Sequence, residues 1–262
     1  MSLPRLRLER CTDLGGGLWR IDEGQARHLL KVLRAASGEE LEGLGGGQRW
    51  RLKLEISAEG VFARTLYPIP EKGCPPRIVL LASLLKGNDF ELLLKGVTEI
   101  GVSKIIPIAA SRSVPRYSQE ESVRKQLRWK RILDESTRQC GAPEIPELSP
   151  PASLDEVLET GLPPLRIAGF LEERAVPIGS VSPKAEAVVA IGPEGDWDDH
   201  EKQLLLHAGF CPVRLGPFVL KACTAAVVAC SYLVLAWEAV ALGGNRGKKV
   251  LDQGPGMPDE PV

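Results

Sequence analysis

Metal-ligand patterns are missing from this chain. Its six cysteines (Cys11, Cys74, Cys140, Cys211, Cys223 and Cys230) form no C-x-x-C pair, and its three histidines (His28, His200 and His207) fall in no cluster, so no zinc or other metal site is expected. Neither a G-x-G-x-x-G turn nor a P-loop lysine motif is present, which removes the case for a nucleotide triphosphatase. The opening residues, MSLPRLRLERCTD, contain no apolar run that could act as a signal peptide; with scattered thiols, that points to a reducing cytoplasm and no disulfides. Net charge is nearly absent as well. Lys plus Arg total 33 against 34 Asp plus Glu, so attraction to nucleic acid must come from local patches. One apolar run, residues 225–242, is interrupted by Ser231 and Glu238; it falls short of the ~20 residues a membrane span needs and is expected to be a buried helix.

What is there fits a folded globular protein of one or two domains, with 262 residues, 44% hydrophobic and 26% charged. Residues 68–76, PIPEKGCPP, hold four prolines in nine positions, which disfavours helix and central strand and marks a domain boundary. Before it, alternation over residues 50–56 and 61–67 predicts half-buried strands. Glycines 15–17 and the 43–47 stretch supply turns, and residues 25–34 form a helix. After the boundary, strand and helix patterns alternate, which implies a mostly parallel sheet covered on its faces. Strands are expected at 78–83, 105–109, 165–171, 187–191 and 213–215. Phe90, Leu93, Leu94, Val97 and Ile100 recur at helical spacing between Asn88 or Asp89 and Gly101. Asp198 and Glu201 stand at capping-box spacing ahead of a helix that should end at Gly209. The tail, residues 243–262, has too little apolar content to pack and is expected to be disordered.

Two segments carry the chemistry. In VVAIGPEGDW, residues 188–197, a buried strand runs into Gly192-Pro193-Glu194-Gly195; such a turn presents backbone groups at the carboxyl end of a sheet, where open α/β folds bind ligands. A second turn of the same kind, Leu215-Gly216-Pro217-Phe218-Val219-Leu220-Lys221, precedes the helix containing Thr224. Two such turns can bracket one nucleoside-like ligand. A basic stretch from Arg112 to Arg131 includes Arg116, Arg124, Lys125, Arg128 and Lys130, and suits phosphate contacts as well as it suits a solvated helix face. Trp19 and Trp50 fit core positions better than base stacking.

IGPEG followed by LGPxxLK and TAA resembles the cofactor signature of the SPOUT class of RNA methyltransferases, and specifically the RsmE family, which methylates N3 of a uridine in 16S ribosomal RNA. The likeness runs along nearly the whole chain. His28-Leu29-Leu30-Lys31-Val32-Leu33-Arg34 resembles the family's H-x-x-x-V-L-R segment, and Lys86-Gly87 with residues 97–102 resembles its K-x-x-x-ELGV helix. Ser111-Arg112-Ser113, residues 129–139 and Pro143-Glu144-Ile145 match further family stretches. The resemblance implies a PUA-like RNA-binding β-barrel at residues 1–72 and a trefoil-knotted α/β domain with a parallel sheet at 73–242. It also implies a homodimer, with 16S rRNA or the small ribosomal subunit as partner and no membrane or metal. S-adenosylmethionine would bind at Leu171, Gly192, Pro193, Glu194, Gly195, Leu215, Gly216, Leu220 and Thr224. Arg112 and Lys221 would be the catalytic cations, and RNA would meet His28, Lys31, Arg34, Lys86, Arg124 and Arg128.

The chain departs from the family pattern at several places. Where the family usually reads LGPRILRTETA this chain has LGPFVLKACTA, so Phe218, Lys221 and Cys223 stand for two arginines and a glutamate; Asp196 replaces a glycine and Ala142 an arginine. Lys is a point charge where Arg is a planar fork. Cys223, among apolar residues at a helix start, reads as a packed thiol rather than a nucleophile. Two rival readings follow from these departures: a paralogue that binds RNA without methyl transfer, and a methyltransferase of this fold with another RNA target.

Overall fold

A computed structural model describes residues 3–70, 75–114 and 117–243. The chain begins with β1 (Arg5–Arg7), β2 (Thr12–Asp13), β3 (Leu18–Arg20), α1 (Glu23–Arg27), β4 (Glu40–Gly45), β5 (Gln48–Ser57) and β6 (Gly60–Ile69). These strands form a six-stranded sheet in the order β1-β4-β5-β6-β3-β2, wrapped around a small core that includes Leu6, Leu29, Leu41, Leu52, Leu54 and Ala63.

Three local expectations are corrected here. Gly43 and Gly45 lie inside β4 rather than in a turn, because a side chain at Gly43 would sit 2.8 Å from Leu52 and 3.3 Å from Leu8; the turn is Gly46-Gly47, both at positive φ. Pro68 belongs to β6, where it opposes Trp50. Proline is tolerated because β3 pairs only with residues 62–64 of β6, leaving the strand open on that side at Pro68. The helix expected over 25–34 is α1 followed by one π-type turn, His28–Val32, and it stops where Arg34 turns to φ 56°.

The second unit contains β7 (Arg77–Ser83), α2 (Asp89–Ile100), β8 (Lys104–Ile108), α3 (Gln119–Cys140), β9 (Glu147–Leu148), α4 (Leu154–Leu158) and β10 (Leu165–Gly169). It continues with β11 (Val176–Pro177), β12 (Glu186–Ile191), α5 (Asp199–His207), β13 (Cys211–Arg214) and α6 (Ala222–Gly243). Its seven strands are all parallel, in the order β11-β13-β10-β12-β7-β8-β9. Helices cover both faces, as burial of parallel strands requires. One core joins the sheet to α2, α3 and α6 through residues such as Phe90, Trp129 and Leu233; the other joins it to α4 and α5 through Val157, Trp197 and Leu205. α2 and α6 meet closely at Gly96, where any β-carbon would stand 2.6 Å from Val227.

The capping box at Asp198 and Glu201 forms, and the helix-ending glycines Gly101 and Gly209 take φ 93° and 80°. α6 is less buried than expected. Ala226, Ala229, Cys230 and Leu233 pack inward, while Leu235 and Val240 are 64% and 61% exposed, because only one side of the helix meets α2 and the sheet. Among the described residues α6 is the one helix long and apolar enough to cross a membrane, by length and composition. The expectations for the 243–262 tail, Cys74 and Arg116 concern positions outside the described residues, Gly243 apart.

The two sheets are joined through the end of α3. Arg5 donates to the carbonyls of Arg138 and Gln139, Arg7 to those of Ala142 and Pro143, and Arg10 pairs with Asp134 at 3.0 Å. Cations at a helix C-terminus meet the unpaired carbonyls there. Gly141, at φ 83°, leaves room for the Arg5 guanidinium, 2.9 Å from where a β-carbon would be.

Candidate active site

β12 lies between β10 and β7 although it follows both in the chain. Its carboxyl end, with that of β13, opens into a cavity of about 560 Å³, within the size range of small-molecule sites. One wall is the turn after β12, formed by Gly192, Pro193, Glu194 and Asp196. The facing wall is the 215–221 segment, and the 169–173 segment after β10 closes a third side. Of the sequence-predicted cofactor positions, Leu171, Gly192, Pro193, Glu194, Leu215, Gly216 and Leu220 line this cavity; Gly195 and Thr224 do not. Lys221 lines it too and is exposed, with no ion pair among the described residues.

The 192–197 turn is tied down from three directions. Glu194 accepts a 3.0 Å hydrogen bond from the backbone N–H of Lys86, so it anchors the turn to the loop after β7. Arg112 Nη1 donates to the carbonyl of Gly195 at 2.9 Å and to that of Trp197 at 3.4 Å. Trp197 is fully buried, and a β-carbon at Gly192 would lie 3.2 Å from it.

The third tie was not visible in the motifs. Asp196 holds φ 60°, a left-handed backbone that favours glycine and that aspartate tolerates better than most residues. Its carboxylate pairs with Lys202 of α5 at 2.8 Å, and Lys202 also meets Glu172 at 3.0 Å. Burial pulls the Lys202 ammonium down, but its bonds to Asp196 and Glu172 outweigh this and leave its pKa raised. The bond from Lys202 holds the Glu172 carboxyl below its ordinary range. One buried lysine thus joins two walls of the cavity. The signal in the sequence was the aspartate where glycine is usual, together with a lysine on the inner face of a capped helix.

The 215–221 segment is different. Phe218 and Val219 are 82% and 74% exposed, and residues 216–220 make no hydrogen bond or ion pair among the described residues.

The expected RNA positions spread more widely. His28, Lys31 and Arg34 are exposed on the first unit, and Lys86 and Arg124 on the second. Arg128 is occupied: its guanidinium grips Glu91 through two bonds of 2.6 and 2.8 Å, which hold the Glu91 carboxyl below its ordinary range. Trp19 and Trp50 are half-buried against the first core. Cys223 is half-buried against the second unit's core. Burial pushes the Cys230 thiol up to about 12, so it stays protonated. Among the described residues no group of His, Cys, Asp or Glu could hold a metal ion.

Residues 72–234 match the family model of the RNA methyltransferase domain. A relative from Synechocystis, ribosomal RNA small subunit methyltransferase E, is 32% identical over 220 residues, covering 78% of this chain and 69% of its own. The protein of the same name from Aquifex aeolicus is 27% identical, with 84% and 95% covered. Among solved structures, the Neisseria gonorrhoeae ribosomal RNA small subunit methyltransferase E bound to S-adenosylmethionine superposes with a TM-score of 0.78. It shares 26% identity, over 90% of this chain and 98% of that one. A Legionella pneumophila methyltransferase in complex with the same cofactor gives 0.78, at 27% identity and the same coverage.

Proposed function

The chain belongs to the ribosomal RNA small subunit methyltransferase E family, and from that premise we propose that it transfers a methyl group from S-adenosylmethionine to N3 of a uridine in 16S ribosomal RNA. The observation that carries this reading is the single cavity in which the two Gly-Pro turns, 24 positions apart at Gly192 and Gly216, come face to face.

The lining fits the cofactor. Strand-end backbone groups around Ile191 and Leu215 suit the edge of a purine, Leu215, Leu220 and Ala225 suit its faces, and the carboxylate of Glu173 suits a cation. When bound, S-adenosylmethionine supplies an electrophilic methyl group. The protein's task is then orientation and charge. Holding the reacting partners in line removes much of the entropic cost of their meeting, and cations stabilise the negative charge that spreads over a uracil as its N3 proton leaves. Lys221, exposed on the cavity wall, is the catalytic cation in this account. Arg112 fixes the turn through Nη1 and keeps its other nitrogens for the RNA. Glu194 holds the turn to Lys86, and we assign it no proton transfer.

Residues 1–72 serve as a PUA-like RNA-binding domain, presenting His28, Lys31 and Arg34, and residues 73–242 as the knotted catalytic domain. The return of the chain from β12 through β13 to α6, with the 215–221 segment tucked beside the 192–197 turn, supports the knot. A homodimer would cover the exposed apolar side of α6, including Leu235 and Val240. The protein works in the cytoplasm, on the small ribosomal subunit. The test is transfer of labelled methyl from S-adenosylmethionine to small subunits lacking the modification, with the nucleotide mapped. Label at a uridine N3 is expected. Label at another nucleotide would establish a different target, and no label with cofactor binding intact would establish a non-catalytic RNA-binding paralogue.

A further inference from the structure

A second cavity, of about 420 Å³, lies at the same edge of the sheet, bounded by Leu84, the 109–113 segment, Tyr117, Ser122 of α3 and Pro151. The 109–113 segment runs between it and the cofactor cavity. Ser111 and Ser113 face the second cavity, while Arg112 between them holds the carbonyl of Gly195 in the turn that walls the first.

The segment is ordered. Ala109 donates to Ala152 at 2.9 Å, the Ser111 N–H to Glu201 at 2.8 Å, and Ser113 to Ala110 at 2.9 Å. Yet the Ser113 hydroxyl, on a residue only 7% exposed, has no hydrogen-bond partner among the described residues. A buried hydroxyl left unpaired costs stability, so its placement in a cavity wall points to a ligand that completes it. Leu84 and Pro151 provide apolar walls and Tyr117 an aromatic one, and the Lys125 ammonium stands 5.7 Å from the Tyr117 ring centre. The acids nearby are engaged: Glu121 accepts from the Ser118 N–H in a capping box, and Glu91 is gripped by Arg128. An uncharged planar group with hydrogen-bonding edges fits such walls, and a phosphate fits the cation that Lys125 holds over Tyr117. Unstacked bases of single-stranded RNA are recognised in this way.

We propose that this cavity binds a nucleotide extruded from the RNA beside the target uridine, with its base hydrogen-bonded to Ser113 and its phosphate toward Lys125. The proposal rests on the chain acting on RNA, and it gives the enzyme a second reading position next to the transfer site.

The test uses the full chain, labelled with nitrogen-15, and titrates it with uridine, cytidine and adenosine monophosphates and with inorganic phosphate. At least one nucleotide should shift the amides of Ala109, Ser111, Ser113 and Ser122 while leaving residues 216–220 unmoved, and phosphate alone should not. No shift with any nucleotide, equal shifts with phosphate, or shifts confined to the cofactor cavity would overturn the proposal. Two variants extend it. Ser113→Ala, which removes a buried hydroxyl without a partner among the described residues, should hold or raise the melting temperature, leave cofactor affinity unchanged and weaken binding of a 16S rRNA fragment about 5-fold or more. Ser122→Trp, which fills the cavity, should weaken it further. Normal RNA affinity in both variants would refute the proposal while leaving methyl transfer intact. Nucleotide shifts in a protein that transfers no methyl would instead refute the proposed activity and keep the site.

Discussion

The two Gly-Pro turns that face each other across the proposed cofactor cavity have similar sequences and opposite physical characters. The 192–197 turn is held by Glu194 to Lys86, by Arg112 to Gly195 and Trp197, and by Asp196 to Lys202. The 215–221 segment has no comparable ties, and exposes Phe218 and Val219. A turn whose groups find partners within the chain is preorganised for binding. One whose groups face water is left for a ligand, an RNA or a second protomer to order. We therefore assign cofactor geometry to the pinned turn and the chemical step to the free one.

The sharpest way to break this division is Lys221→Ala. Removing a cation that acts on developing charge should lower transfer by about 10²–10³-fold, with the S-adenosylmethionine Kd by calorimetry within about 3-fold of wild type. Equal losses in both would place Lys221 in the binding machinery.

Next comes a paired substitution. Gly192→Val drives branched carbons against buried Trp197, where even a β-carbon stands at 3.2 Å. Overpacking of this kind costs about 1–3 kcal/mol, and the displaced turn should weaken cofactor binding about 30-fold or more. Gly216→Ala, where a β-carbon meets nothing within 4 Å, should change neither. If the two glycines tolerate substitution alike, the turns are not different in the way described.

Lys202→Met removes the cation shared by Asp196 and Glu172 and keeps the stem. Leaving Asp196 without its cation and Glu172 with Arg174 alone should cost about 1–3 kcal/mol, read as a melting temperature lower by several degrees, with a looser cofactor site. The same link sets the smallest effect, on pH. Glu172 has its pKa depressed by folding, so its contribution is present above its ordinary value near 4.5 and is lost as pH falls through the folded value. Lys202 has its pKa raised, so its contribution is complete below 10.5 and is lost as pH rises through the folded value. Thermal melting should therefore weaken toward acid in the wild type, and Lys202→Met should flatten that acid limb.

Much of this layout was legible in the sequence, for reasons that differ by element. β12 and its turn announced themselves because a fully apolar run ending in glycine and proline has few other conformations. The capping box at Asp198 and Glu201 and the closing glycines of α2 and α5 are local hydrogen-bond chemistry, and local chemistry is written in neighbouring residues. Long-range pairings left fainter marks. Nothing near Asp196 names Lys202 as its partner or Glu172 as the third member, and nothing near Arg128 names Glu91, 37 positions away, as the carboxylate it grips. The strand glycines of β4 resembled a turn because their reason, the crowding of Leu8 and Leu52 over Gly43, lies on other strands. Apolarity marked α6 as a core helix, but could not show that its Leu235 and Val240 side chains stand exposed among the described residues.

Hydrogen exchange of the backbone amides, with and without S-adenosylmethionine, tests the contrast between the two turns most directly. The Asp196 amide, which donates to Pro193 at 3.0 Å in the pinned turn, should exchange slowly in both conditions, whereas residues 218–221 should exchange fast without the cofactor and become protected when it is added. Protection at 218–221 equal to that of the Asp196 amide before cofactor is added, or no gain at 218–221 after it, would contradict the account.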